Sequence, residues 1–240
     1  MNFEIQKRTL LSVTQDEFDG LMILWPSATL PDATAKDPIS RLLAGACKKG
    51  DFELKPNCTL ALYAHPEIKA RHVVVVCSAD NTPAAVRAAM QAAWSCLKSF
   101  KIKHLGIHIV GDCPAQSIQA GLVSLAEATY SYATTLSQPK LRSLKHVQVS
   151  LASVQADAVD SVAYAQALVS GIEVAKEWAN RPANHATPAH LAQAAQSIAT
   201  GRSFKCEVLG PKEVAKLGMG AFMAVAQGAS EPLRFIVMHY

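Results

Sequence analysis

The chain has 240 residues, half of them hydrophobic, 18% charged and only 6% aromatic, with a formal net charge of +4. That balance fits a folded α/β protein with an alanine-rich core and excludes wholesale disorder; the length allows one large domain or two smaller ones. The charge excess is local: residues 1–150 hold 16 Lys+Arg against 12 Asp+Glu, and residues 151–240 hold 7 against 7.

The start, MNFEIQKRTL, has no charged segment followed by an apolar run and a small-residue cleavage site, so no secretory signal is expected. The apolar runs Gly20–Trp25 and Val73–Cys77 are strand-sized, well short of the roughly 18 residues of a membrane helix. Strands are predicted at Phe3–Thr9, Leu21–Trp25, Thr59–Ala64, His72–Ser78, His104–Val110 and Lys145–Leu151. Val73–Val76 lacks alternation, as expected of a strand buried on both faces.

Helices are predicted between these strands. One covers Ile39–Lys48. Another opens at Thr82-Pro83 as cap and first turn, and places Val86, Met90, Trp94 and Leu97 on one stripe. A third runs from Pro114 to Ala128. Strands alternating with helices imply a largely parallel sheet, although the first two strands need not be parallel.

Residues Gln155–Ala179 lack proline, and Val162, Ala165, Val169, Ile172 and Ala175 recur at steps of three and four. This predicts one helix of about 25 residues, roughly 37 Å long, suited to connecting two domains. Thr187-Pro188 opens a further helix reaching Thr200, followed by a strand at Ser203–Leu209, a short helix at Pro211–Leu217 and a strand at Leu233–Tyr240. The expected fold is α/β: an amino-terminal mixed-sheet domain at residues 1–152, a connecting helix at 153–180, and an incomplete second α/β domain at 181–240. The last apolar strand implies that this domain continues beyond the chain.

The six cysteines (Cys47, Cys58, Cys77, Cys96, Cys113, Cys206) form no C-x-x-C pair and are expected to be reduced, placing the chain in the cytoplasm with neither a zinc module nor a disulfide frame. Among the eight histidines, His104 and His108 are four apart, but within a strand and without a nearby carboxylate. His185 and His190 flank a helix start and read as capping or surface residues. Two basic clusters, Lys98, Lys101, Lys103 with His104 and Lys140, Arg142, Lys145 with His146, read as solvated element ends rather than a nucleic-acid stripe. No G-x-S-x-G, H-E-x-x-H, phosphate-loop or dinucleotide fingerprint occurs. Residue chemistry alone therefore yields no catalytic site.

The stretch Glu177-Trp178-Ala179-Asn180-Arg181-Pro182-Ala183-Asn184 resembles the "xLxNxPxN" segment of the leucyl aminopeptidases, also called the cytosol aminopeptidases. Thr187-Pro188, Cys206–Leu209, Lys216–Gly228 and Glu231–Tyr240 continue that likeness in order and spacing, with small departures at Ala226 and Ala229. The first 150 residues resemble the family more loosely, through element order and Tyr130–Leu144.

The resemblance implies a metallopeptidase that removes amino-terminal residues from peptide substrates, uses two divalent metal ions (manganese or zinc), and assembles as a hexamer. It places the family's metal ligands and catalytic residues in a lysine–aspartate segment and an "NTDAEGR" segment, both beyond Tyr240. No catalytic and no metal residue is therefore assigned within these 240 residues, which are expected to be inactive alone. Two other readings remain at this point: a DNA-binding module, and a regulatory or oligomerisation module.

Overall fold

A computed structural model describes residues 1–240. Contacts divide the chain into two compact units, Met1–Ser131 with Lys140–Glu173, and Tyr132–Pro139 with Val174–Tyr240. No helix is long and apolar enough to cross a membrane.

In chain order the first unit comprises β1 (Asn2–Lys7), α1 (Leu10–Val13), β2 (Gly20–Pro26), α2 (Pro38–Lys49), β3 (Thr59–Tyr63), β4 (His72–Ser78), α3 (Pro83–Leu97), β5 (His104–Ile109), α4 (Ala115–Thr129), β6 (His146–Leu151) and the start of α5 (Ala156–Asn180). Thr82 caps α3 as predicted, its hydroxyl accepting from Ala85 N–H; at the head of α2 the Asp37 carboxylate accepts from Ser40 N–H.

The six strands form one sheet in the order β1-β6-β5-β2-β4-β3. All neighbouring pairs are parallel except β3–β4, so the sheet is mixed. The first two strands are therefore parallel, and the reversed strand is the third, on the edge. β3 reaches β4 through a short connection, and an antiparallel neighbour needs no helical crossover.

Alternation along each strand builds two cores. Met22, Leu24, Val74, Val76, Leu105, Ile107, Ile109, Val147 and Val149 face α3, α4 and the first half of α5. Leu21, Ile23, Trp25, Val73, Val75 and Cys77 face α2 and the loops carrying Phe52 and Ile68. The valine run of β4 is buried on both faces, as its lack of alternation implied.

The predicted stripe of α5 is buried at Val162, Ala165 and Val169, but Ile172 is only half-buried and Ala175 is exposed. The helix leaves the first core at this point, and its last seven residues belong to the second unit.

The second unit continues with a 3-10 turn at Ala183–His185, then α6 (Pro188–Ala199), β7 (Lys205–Leu209), α7 (Pro211–Lys216), α8 (Gly220–Ala226) and β8 (Phe235–His239). Strands β7 and β8 pair antiparallel, with Lys205 opposite His239 and Leu209 opposite Phe235. Helix α8 was not expected: Gly220 at its first position is a weak helix former, and the segment's apolar residues carry no clear period.

Gly106 of β5 lies beneath the ring of Phe18, where a Cβ would come within 2.6 Å of that ring. Gly106→Ala should therefore cost about 1–3 kcal/mol through overpacking, read as a lower urea midpoint. Gly45→Ala, inside α2 with nothing within 4 Å of its Cβ position, should raise the unfolding free energy by about 0.5–1 kcal/mol, read as a higher midpoint.

Candidate functional site

The two basic clusters at the starts of β5 and β6 lie side by side, because those strands are parallel neighbours that begin in register. Lys145 N–H donates to the Lys103 carbonyl at 2.9 Å, and His104 stands opposite His146. Their rings meet edge to face, centroids 5.0 Å apart at 83°. Asp19 secures this end of the sheet by accepting from Lys103 N–H at 2.9 Å and His104 N–H at 3.0 Å. Burial opposes the Asp19 charge, but those two donors hold its carboxyl below the usual carboxylate range.

The rings open onto a polar groove of about 440 Å³. Its floor is one face of β1, β6 and β5, carrying Asn2, Glu4, Gln6, His146, Gln148 and His104; Phe18, Glu17 and Asp16 form a wall. Asp16 is ion-paired with Arg8, which also lines the groove. Sequence reasoning missed this adjacency because 42 positions separate the two histidines. The available signal was the repeated Lys-His step at the head of two predicted strands.

His104 and His108, linked only by their spacing, do not act together. His104 is exposed, whereas His108 is 2% exposed and lies on the same face as buried Ser150, its register partner. The Ser150 hydroxyl donates to the Ile107 carbonyl at 3.2 Å and lies 3.0 Å from His108 Nδ1. Burial pushes the His108 pKa down to about 4, so the ring is neutral near pH 7.

Of the other histidines, His190 supplies the N–H and Nδ1 that meet the Thr187 hydroxyl at the head of α6, a capping role. His239 is exposed, with Nε2 3.9 Å from the Glu207 carboxylate. All six cysteines are free. Burial pushes the thiols of Cys77 and Cys113 up to about 11 and 12, which keeps them protonated and weakly reactive.

In the second unit, the segment Glu177–Asn184 makes a compact polar contact set. The Glu177 carboxylate accepts from Thr134 Oγ1 and, at 3.2 Å, from both Nε and Nη2 of Arg181. The Arg181 guanidinium lies 3.9 Å over the Trp178 ring. These contacts shape a helix end and present no nucleophile or base. No group of three or more His, Cys, Asp or Glu side chains converges in a way that could hold a metal ion. The residues present therefore do not fit a two-metal centre.

Residues 173–240 match the description "Cytosol aminopeptidase family, catalytic domain". The whole chain aligns at 46% identity with a "Probable cytosol aminopeptidase" of Polaromonas sp. (strain JS666), covering 100% of this chain and 47% of that protein. A protein of the same description from Polaromonas naphthalenivorans is 41% identical, again over 100% of this chain and 47% of its own length. By sequence, this chain is similar over its whole length to cytosol aminopeptidases. It spans about half the length of the curated relatives it matches.

The fold agrees. A mutant of tomato leucine aminopeptidase superposes with a TM-score of 0.78 at 22% identity, over 99% of this chain and 50% of that one. The bottromycin maturation enzyme BotP, solved in complex with Mn, gives 0.69 at 21% identity, over 92% and 45%.

The neutral, buried His108 generates a pH prediction. Its unfolded pKa lies near 6.5 and its folded pKa near 4, so the unfolded chain binds more protons between these values. Its contribution is fully present above about pH 6.5 and is lost as pH falls towards 4, an effect on the order of 3 kcal/mol. In His108→Gln the dependence of unfolding free energy on pH should flatten across that window, measured by urea unfolding at stepped pH.

Proposed function

We propose that these 240 residues are the amino-terminal portion of a leucyl-type metalloaminopeptidase that removes amino-terminal residues from peptides. The observation that carries this reading is the 46% identity with a cytosol aminopeptidase over the full length of the chain. Residues 1–152 then form the amino-terminal domain, 153–180 the connecting helix, and 181–240 the opening of the catalytic domain.

On this reading the whole enzyme is cytoplasmic and hexameric and holds two divalent ions, manganese or zinc. The Mn complex of the structurally similar BotP supports the choice of manganese. Such ions polarise a scissile carbonyl and activate water. This chain's own contribution is architectural: the mixed sheet, the long helix and the Glu177–Arg181–Trp178 contacts at its end. The DNA-binding alternative is not favoured, because the sequence relationship is to peptidases and the basic residues form no continuous stripe.

Two assays test the proposal. The 240-residue chain, supplied with Mn²⁺ or Zn²⁺, should hydrolyse leucine amides no faster than the blank. The intact gene product, isolated from its source cells and sized by mass spectrometry, should be about twice as long and show metal-dependent release of amino-terminal residues. An intact product of 240 residues, or a longer one without that activity, would overturn the proposal.

A further inference from the structure

We propose that His104 and His146, at the head of β5 and β6, form a binding site for an imidazole-preferring divalent transition-metal ion such as Zn²⁺ or Ni²⁺. The two residues are register partners on adjacent parallel strands, so their side chains leave the same face of the sheet. Both are exposed, and both line the groove beside β1.

The spacing suits ligation. Two imidazoles on one tetrahedral cation, at about 2.0–2.1 Å per nitrogen, hold their ring centroids about 5 Å apart. The rings stand at 5.0 Å, the separation that a shared ion would keep, and ligation requires the edge-to-face rings to turn about their side-chain bonds so that a nitrogen of each faces the ion. The backbone beneath them is fixed: His146 N–H donates to the Lys103 carbonyl at 3.1 Å, and His104 N–H donates to Asp19. Anchored strands lower the ordering cost of binding, as in any preorganised site.

The groove supplies the remaining conditions. Its volume of about 440 Å³ leaves room for water at the open coordination positions. Glu4 lies one step along the same face of β1, since Asn2 is opposite His146 and Glu4 opposite Gln148. It places negative charge near the pair, and Arg8 is neutralised by Asp16. The cations beside the pair in sequence that are left to oppose binding are Lys103 and Lys145, each one residue before a histidine and therefore directed to the other face of its strand. With two imidazoles as the protein donors, the site selects late first-row ions over Mg²⁺ and Ca²⁺, which take oxygen ligands.

The test uses Ni²⁺ added to the 240-residue chain, because paramagnetic Ni²⁺ broadens the signals of the side chains it binds, whereas Zn²⁺ does not. Affinity is followed by calorimetry, and the ring C–H signals of the histidines are followed by NMR. The signals of His104 and His146 should broaden together, ahead of those of the other six histidines, and Mg²⁺ should leave them unchanged.

His104→Gln and His146→Gln should each weaken Ni²⁺ binding tenfold or more, and the double variant should remove it. Thermal midpoints without metal show that each variant folds. The rise in midpoint on adding Ni²⁺ should be present in the unsubstituted chain and lost in all three variants. Equal affinity in the single variants, or broadening confined to other histidines, overturns the proposal and leaves the two rings as an aromatic pair only.

Discussion

Strand β2 has parallel partners on both sides and a hydrophobic core on each face, and the rest of the first unit is arranged around that double burial. Leu21, Met22, Ile23 and Leu24 are all fully buried. Met22 and Leu24 require a cover on one side, which α3 and α4 provide; Leu21, Ile23 and Trp25 require one on the other, which comes from α2 and its neighbouring loops. A strand apolar on both faces does not fix its own register, because a slip by one residue exchanges one apolar set for another. The register is instead specified by its neighbour β5, whose two faces differ: Leu105, Ile107 and Ile109 on one, His104, Gly106 and His108 on the other. Phe18 seated over Gly106 marks that register sterically, since any other residue beneath the ring would meet it.

The same asymmetry explains the polar groove. Parallel sheets are usually covered on both faces. Here the second cover reaches β2 and β4 and stops at Phe18, so the face of β1, β6 and β5 beyond it carries Asn2, Glu4, Gln6, His146 and Gln148. His108 and Ser150 sit at the boundary, buried yet polar, and tolerate burial because they meet each other and the Ile107 carbonyl. Apolar burial, paired polar burial and open polar surface thus follow one another across a single sheet face.

This organisation was legible in the sequence where the signal is local. Caps such as Thr82-Pro83 and Thr187-Pro188, the unbroken valine run and the three-four spacing of Val162, Ala165 and Val169 each reflect neighbours within a few residues, and each lies where expected. The four-residue α1 and glycine-led α8 were not legible, being too short to show a period. Strand order was not legible either. Nothing within β1 announces that it pairs with β6, more than 140 positions away, and the His104–His146 pair is invisible without that order. His104 and His108 show the reverse error, a suggestive spacing that the fold separates into a solvated ring and a buried one.

The segment that carries the family likeness most visibly illustrates what such likeness consists of in physical terms. Along α5, full burial ends at Val169, so apolar packing cannot set where this 25-residue helix stops. What marks its end is a set of polar contacts, all but one of them local: Glu177 holding Arg181 and the distant Thr134, the Arg181 guanidinium over Trp178, and Pro182, which cannot extend the helical hydrogen bonding. Partly exposed ion pairs contribute little to stability individually, and Glu177–Arg181 is no exception. Their value here is geometric, because they fix the last turn of the helix and the direction in which the chain leaves it. A motif whose residues determine a chain path can be read from sequence with no catalytic group in view. Likeness to a peptidase family is therefore evident in these 240 residues even though no three of their His, Cys, Asp or Glu side chains converge on a metal position.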